Sequence, residues 1–75
     1  MSDTQELKQA LITMDVDTVM AITGLSFQAA TDKCEKAAGL QEAIMSSIRN
    51  NQDPSIFQEQ LSDLTETLLS KSKHK

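Results

Sequence analysis

The sequence has little of what usually stabilises a small domain. Its 75 residues include no tryptophan or tyrosine, two phenylalanines, one proline and one cysteine. A single cysteine excludes an intrachain disulfide and agrees with a reducing compartment. No apolar run approaches the roughly 18 residues of a membrane span, and no charged and apolar leader with a cleavage site is present. These absences predict a cytoplasmic protein without a membrane span or a secretory signal.

The apolar side chains are also few. There are 21 large ones (Leu, Ile, Val, Met and Phe) and seven alanines. A chain of this length buries only about 60% of the surface that it exposes when unfolded, which is too little for two cores. We therefore expect one helical domain over residues 1–75, supported by homo- or hetero-oligomerisation.

The charge is acidic and unevenly distributed. Eleven acidic and seven basic residues give a net charge of −4, and three of the basic residues lie within residues 70–75, which leaves 4 − 11 = −7 for residues 1–69. An acidic body argues against nucleic acid and anionic membranes as partners. We expect residues 71–75 to be a frayed basic tail that complements the negative end of the last helix, with a weak anchor for an acidic surface as the alternative.

The N-terminal third predicts one or two short helices. Leu7, Ala10, Leu11 and Met14 recur at helical intervals, which predicts a helix over about 4–14. Residues 12–23 are rich in β-branched side chains and partly alternate as a strand would, but no other segment offers a strand to pair with. We therefore favour a helix near 16–23 that begins at Asp15 or Asp17 and ends at Gly24.

The remainder predicts an antiparallel helical hairpin, with helices at about 26–50 and 54–70, so the fold class is all-α. Ser26 is a good N-cap for the first helix, and Asp53 with Pro54 begins the second. Gly39 indicates a close backbone approach or a kink. The first helix carries a heptad seam that only one polar residue interrupts: Phe27, Ala30, Cys34, Ala37, Gln41, Ile44 and Ile48. The second carries a matching stripe: Phe57, Leu61, Leu64 and Leu68.

No constellation of residues supports catalysis, a metal or a cofactor, and we predict that the chain is not an enzyme. Asp15 and Asp17 are better explained as helix caps than as cation ligands. His74 has no second ligand or orienting carboxylate nearby in the sequence. Cys34 lies on the predicted seam, where a buried small hydrophobe is a better interpretation than a nucleophile.

The apolar stripes instead predict binding to another protein through helices. The alternative is that both stripes are internal core. We expect Phe57 to be the anchor of a surface on the hairpin. The full set of predicted partner-binding residues is Leu40, Ile44, Ile48, Phe57, Leu61, Leu64 and Leu68.

Residues 49–64, with the sequence RNNQDPSIFQEQLSDL, resemble the turn and second-helix entry of small helical-hairpin proteins of bacterial type III secretion. Those proteins include needle subunits and the co-chaperones that hold the subunits before export. The chain lacks the aromatic-rich N-terminal segment of the needle subunits, so the resemblance implies a needle co-chaperone. The expected function is a non-catalytic adaptor or chaperone that shields an apolar helix of a partner. The alternatives are a self-assembling subunit of a secretion apparatus and a small antitoxin-like regulator.

Overall fold

Four α-helices make up the chain in the computed structural model, which describes the backbone of residues 3–73 and the side chains of residues 3–70. They are α1 (Asp3–Ile12), α2 (Val16–Thr23), α3 (Phe27–Arg49) and α4 (Ser55–Lys73). Residues 3–73 contain no strand, so the all-α prediction is confirmed and the strand alternative for residues 12–23 is wrong.

Local capping explains where α2 and α3 begin. The Asp15 carboxylate accepts hydrogen bonds from the backbone amide of Thr18 at 3.4 Å and from its hydroxyl at 2.7 Å. Asp15, and not Asp17, is therefore the N-cap of α2. Gly24 ends this helix at φ +75°, and its amide donates to the carbonyl of Met20. The Ser26 hydroxyl accepts from the amide of Ala29 at 3.2 Å, as expected of the N-cap of α3.

A left-handed residue reverses the chain between α3 and α4. Asn51 has φ +57°, the Gln52 amide donates to the Ser47 carbonyl at 2.7 Å, and the Asn51 amide donates to the Ile48 carbonyl at 3.1 Å. This pair of hydrogen bonds is the Schellman arrangement that satisfies the last carbonyls of a helix. The Asp53 carboxylate then accepts from the amide of Ser55 at 3.0 Å and so supports the first turn of α4.

The second hairpin helix is longer than expected, since α4 continues to Lys73 and not to residue 70. The backbone of residues 71–73, the first three of the predicted frayed tail, is therefore helical. His74 and residue 75 lie beyond the described backbone, and the side chains of residues 71–75 are not described.

Each helix contacts the other three, and all four contribute to one apolar core. The core consists of Leu7, Ala10, Leu11, Val19, Ala30, Cys34, Ala37, Ile44, Leu61, Leu68 and Leu69. Half-buried apolar side chains, among them Leu40, Phe57 and Leu64, pack against it from outside.

The predicted seam of α3 is right in its middle and wrong at both ends. Phe27 is 63% exposed, because it is the first residue of the helix, one turn before the first buried residue, Ala30. Ile48 is 55% exposed, and Ser47 takes its inward place at 6%. Successive residues are about 100° apart around a helix, so the inward position of Ser47 turns Ile48 away from the core.

Candidate partner-binding surface of the hairpin

The seven predicted partner-binding residues occupy three different environments. Ile44, Leu61 and Leu68 are buried in the core of the isolated chain. Leu40, Phe57 and Leu64 are half-buried at its edge. Ile48 is exposed. Of the seven, only the three half-buried residues and Ile48 offer apolar surface to a partner. The three buried residues belong to the core against which the half-buried residues pack.

Two of the half-buried residues line an open groove between α3 and α4. Leu40 from α3 and Leu64 from α4 are the large apolar side chains of its walls, and the groove has a volume of about 530 Å³. The other lining residues are Lys36, Gly39, Gln60, Asp63 and Thr67. On α4 the lining runs from residue 60 to residue 67, which corresponds to about two helical turns.

Gly39 forms part of the α3 wall of this groove, and no contact among the described residues requires a glycine there. A Cβ atom added at this position would meet no atom within 4 Å. The helix runs unbroken from Phe27 to Arg49, so Gly39 does not interrupt it. Glycine nevertheless costs a helix interior about 1 kcal/mol relative to alanine. Of the two sequence interpretations, a close approach to another part of the same chain is therefore wrong, and α3 is not divided into two helices.

One carboxylate, Asp63, lines the α4 wall of the groove, and two more lie beside it on the exposed face of the helix. Glu59, Asp63 and Glu66 are exposed and follow one another at intervals of four and three residues, so they lie along one face of the helix. Residues 55–70 contain no basic side chain. On the α3 side, Lys36 lines the groove. The groove is thus lined by two leucines, with one lysine on its α3 wall and one carboxylate on its α4 wall, and further carboxylates lie along its α4 edge.

A second apolar feature lies where the hairpin reverses. Ile48, in the last turn of α3, is 55% exposed, and Ile56, in the first turn of α4, is 63% exposed. Met45, one turn before Ile48, is also exposed. We call these three residues the turn-end group. Sequence reasoning placed Ile48 on the inner seam and missed the group, although two isoleucines directly flanking a polar turn were a usable signal.

Two titratable side chains of the described residues, Cys34 and Asp53, have shifted pKa values. Cys34 is fully buried, and its burial, followed by the negative charge of Asp15, raises the pKa of its thiol. A neutral, inaccessible thiol is a poor nucleophile. Hydrogen bonds donated by Ser55 lower the pKa of Asp53, as expected for a carboxylate that caps a helix. Residues 3–70 hold no cluster of three or more metal-binding side chains, and no described helix is long and apolar enough to cross a membrane.

No family model, no curated protein and no solved structure matches this chain.

Proposed function

We propose that this chain is a non-catalytic, cytoplasmic protein-binding module, adaptor or chaperone-like, whose hairpin shields an apolar helix of a partner protein. The observation that carries the proposal is the turn-end group. A core that is short of large apolar residues nevertheless leaves Ile48 and Ile56 more than half exposed at the same end of the hairpin. Exposed apolar side chains that group together and are rimmed by polar residues are typical of surfaces that bind other proteins.

The half-buried residues support the same proposal. Leu40, Phe57 and Leu64 are partly exposed along the hairpin, where they pack against the core. A helix of a partner laid along such a surface would bury its own apolar face there. The likeness of residues 49–64 to type III secretion co-chaperones points to an exported helical subunit as one such partner.

Affinity capture with the full-length, tagged chain from its own cells, followed by co-purification of the captured protein, tests the proposal. We expect a small hetero-oligomer of fixed stoichiometry that keeps the partner soluble. Replacing both isoleucines, Ile48→Ser with Ile56→Ser, is expected to weaken capture by about tenfold or more, since a few buried apolar anchors carry most of the affinity of an interface. The melting temperature is expected to stay within about 4 °C, because exposed side chains contribute little to the fold.

Phe27→Ser is the matched control, because Phe27 is as exposed as Ile56 but lies at the first residue of α3, away from the turn. It is expected to leave capture unchanged. If Phe27→Ser and the double isoleucine variant lose partner capture to the same extent, the turn-end group is not a specific binding surface. Concentration-dependent polymerisation of the chain without its partner would favour a self-assembling subunit, and a gel shift at low salt would favour a nucleic-acid-binding regulator.

A further inference from the structure

We propose that the groove between α3 and α4 is the binding site for a basic amphipathic helix of a partner, which packs about two turns of its apolar face against Gly39, Leu40 and Leu64. This inference rests on the proposed function and deepens it, because it names the site and the chemistry of the partner segment. The occupant carries lysine or arginine beside its apolar stripe, on the side that faces α4.

The first argument is the glycine. Gly39 lines the groove, weakens its own helix and has free space where a side chain would be. Glycine on a helix surface removes the side chain that would hold another backbone away, so a second helix can approach α3 closely at this point. Because no part of the described chain makes that approach, the approaching helix belongs to another molecule.

The second argument is charge. Asp63 lines the α4 wall, Glu59 and Glu66 lie beside it on the same exposed face of the helix, and residues 55–70 contain no basic side chain. A helix with basic flanks complements this wall, while Lys36 on the α3 wall restricts the basic side chains to the α4 side. Charges of this kind fix the orientation of a partner and disfavour partners that bring a like charge to the same place.

The same charges argue against a second copy of this chain as the occupant. Residues 1–69 carry a net charge of 4 − 11 = −7, so two copies paired through the groove would bring two acidic chains, each with the three carboxylates of α4, close together. Like charges facing each other across an interface are unfavourable.

Fluorescence anisotropy with the full-length chain and two synthetic helical peptides tests the inference. The first peptide has 18 residues with a leucine and alanine stripe flanked by lysines, and the second has glutamate in place of every lysine. At low salt the lysine peptide is expected to bind about tenfold or more tightly than the glutamate peptide, and the difference is expected to shrink as salt screens the charges.

Gly39→Gln is expected to fill the groove and weaken binding of the lysine peptide by about tenfold or more. The melting temperature is expected to rise, because the new Cβ meets no atom and glutamine is a better helix former. Ala21→Gln, at an exposed position of α2, is the control for added bulk. Asp63→Asn is expected to weaken binding, while Glu35→Gln, an equal charge change outside the groove, is expected to leave it unchanged.

Unchanged binding by Gly39→Gln, or equal affinity for the two peptides, would overturn the inference. The inference would also be overturned if the wild-type chain is a dimer and the Gly39→Gln variant is a monomer, since the groove would then hold a second copy of this chain. The proposed function is tested separately. If Gly39→Gln keeps full capture of the cellular partner while the Ile48→Ser and Ile56→Ser double variant loses it, the partner binds at the turn-end group and not in the groove.

Discussion

The hydroxyl of Thr65 donates a 2.9 Å hydrogen bond to the carbonyl oxygen of Leu61, one turn earlier in α4, in the middle of the core. Thr65 is fully buried and Leu61 nearly so. The bond satisfies a hydroxyl that has no contact with water, and it leaves the γ-methyl group free to pack against apolar neighbours. A threonine can therefore occupy a core position that the apolar pattern did not predict.

We expect the methyl group of Thr65 to matter more than its hydroxyl. Thr65→Ser keeps the hydrogen bond but loses a buried methyl group, so it is expected to lower the free energy of unfolding by about 1 kcal/mol. Thr65→Val keeps the shape and removes the hydroxyl together with its need for a partner, so a change smaller than about 1 kcal/mol is expected. Urea denaturation of both variants measures the difference. A valine variant less stable than the serine variant would contradict this account.

The Asp15 cap is expected to be worth about 1 kcal/mol to the fold. Asp15→Ala removes the acceptor of two hydrogen bonds from Thr18. In a domain of this size the loss corresponds to a fall in melting temperature of about 4–8 °C. Asp17→Ala is the matched control, since Asp17 lies in the first turn of the same helix but does not cap it. Equal effects of the two substitutions in a thermal melt would show that charge near the helix start, and not the cap, is responsible.

Leu61 and Leu64 are expected to separate stability from binding. Leu61 is a core residue, so Leu61→Ala is expected to cost about 2–5 kcal/mol of unfolding free energy. Leu64 is half-buried and lines the groove, so Leu64→Ala is expected to cost less stability and to reduce binding of the lysine peptide. Denaturation midpoints and anisotropy on the same samples test both statements. Loss of binding by a fully folded Leu61→Ala variant, with Leu64→Ala unaffected, would reverse the assignment.

Cys34 is expected to make the fold less stable at alkaline pH. Its pKa is raised in the folded chain above the ordinary thiol value of 9.0, so the thiol in the unfolded chain ionises first as pH rises. The contribution of Cys34 is fully present below pH 9.0 and is lost as pH increases toward the folded pKa, with a slope of at most about 1.4 kcal/mol per pH unit. Unfolding free energies between about pH 8 and 10 measure it. Cys34→Ala provides the baseline for lysine titration, and parallel curves for the two proteins would refute the prediction.

Gln41 is half-buried beside the core on α3, where it interrupts the seam. Gln41→Leu is expected to raise the melting temperature by a few degrees, because it adds apolar area without loss of helix propensity. A calorimetric scan decides the sign, with the exposed Gln28 of the same helix as the control position for Gln→Leu. A lower melting temperature for Gln41→Leu would mean that the amide makes a contact that leucine cannot replace.

The sequence by itself determined the helices, because their boundaries depend on local chemistry. A carboxylate or hydroxyl that caps the next amides, a glycine that adopts positive φ and a proline before a helix act within a few residues. Gly24 and Ser26 therefore marked the end of α2 and the start of α3 correctly, and the structure chose Asp15 over Asp17 as the start of α2. The antiparallel hairpin followed from two stripes of similar length joined by a short polar turn.

Only the tertiary structure decided which of two neighbouring positions faces the core. Ser47 and Ile48, or Leu64 and Thr65, are adjacent in sequence and about 100° apart around the helix, and apolar spacing favoured the larger side chain in each pair. In the folded chain Ser47 and Thr65 are the buried members of these pairs. Ile48 is therefore exposed and Leu64 half-buried, because helix periodicity fixes a face only to within one residue and packing against the neighbouring helices fixes the rest.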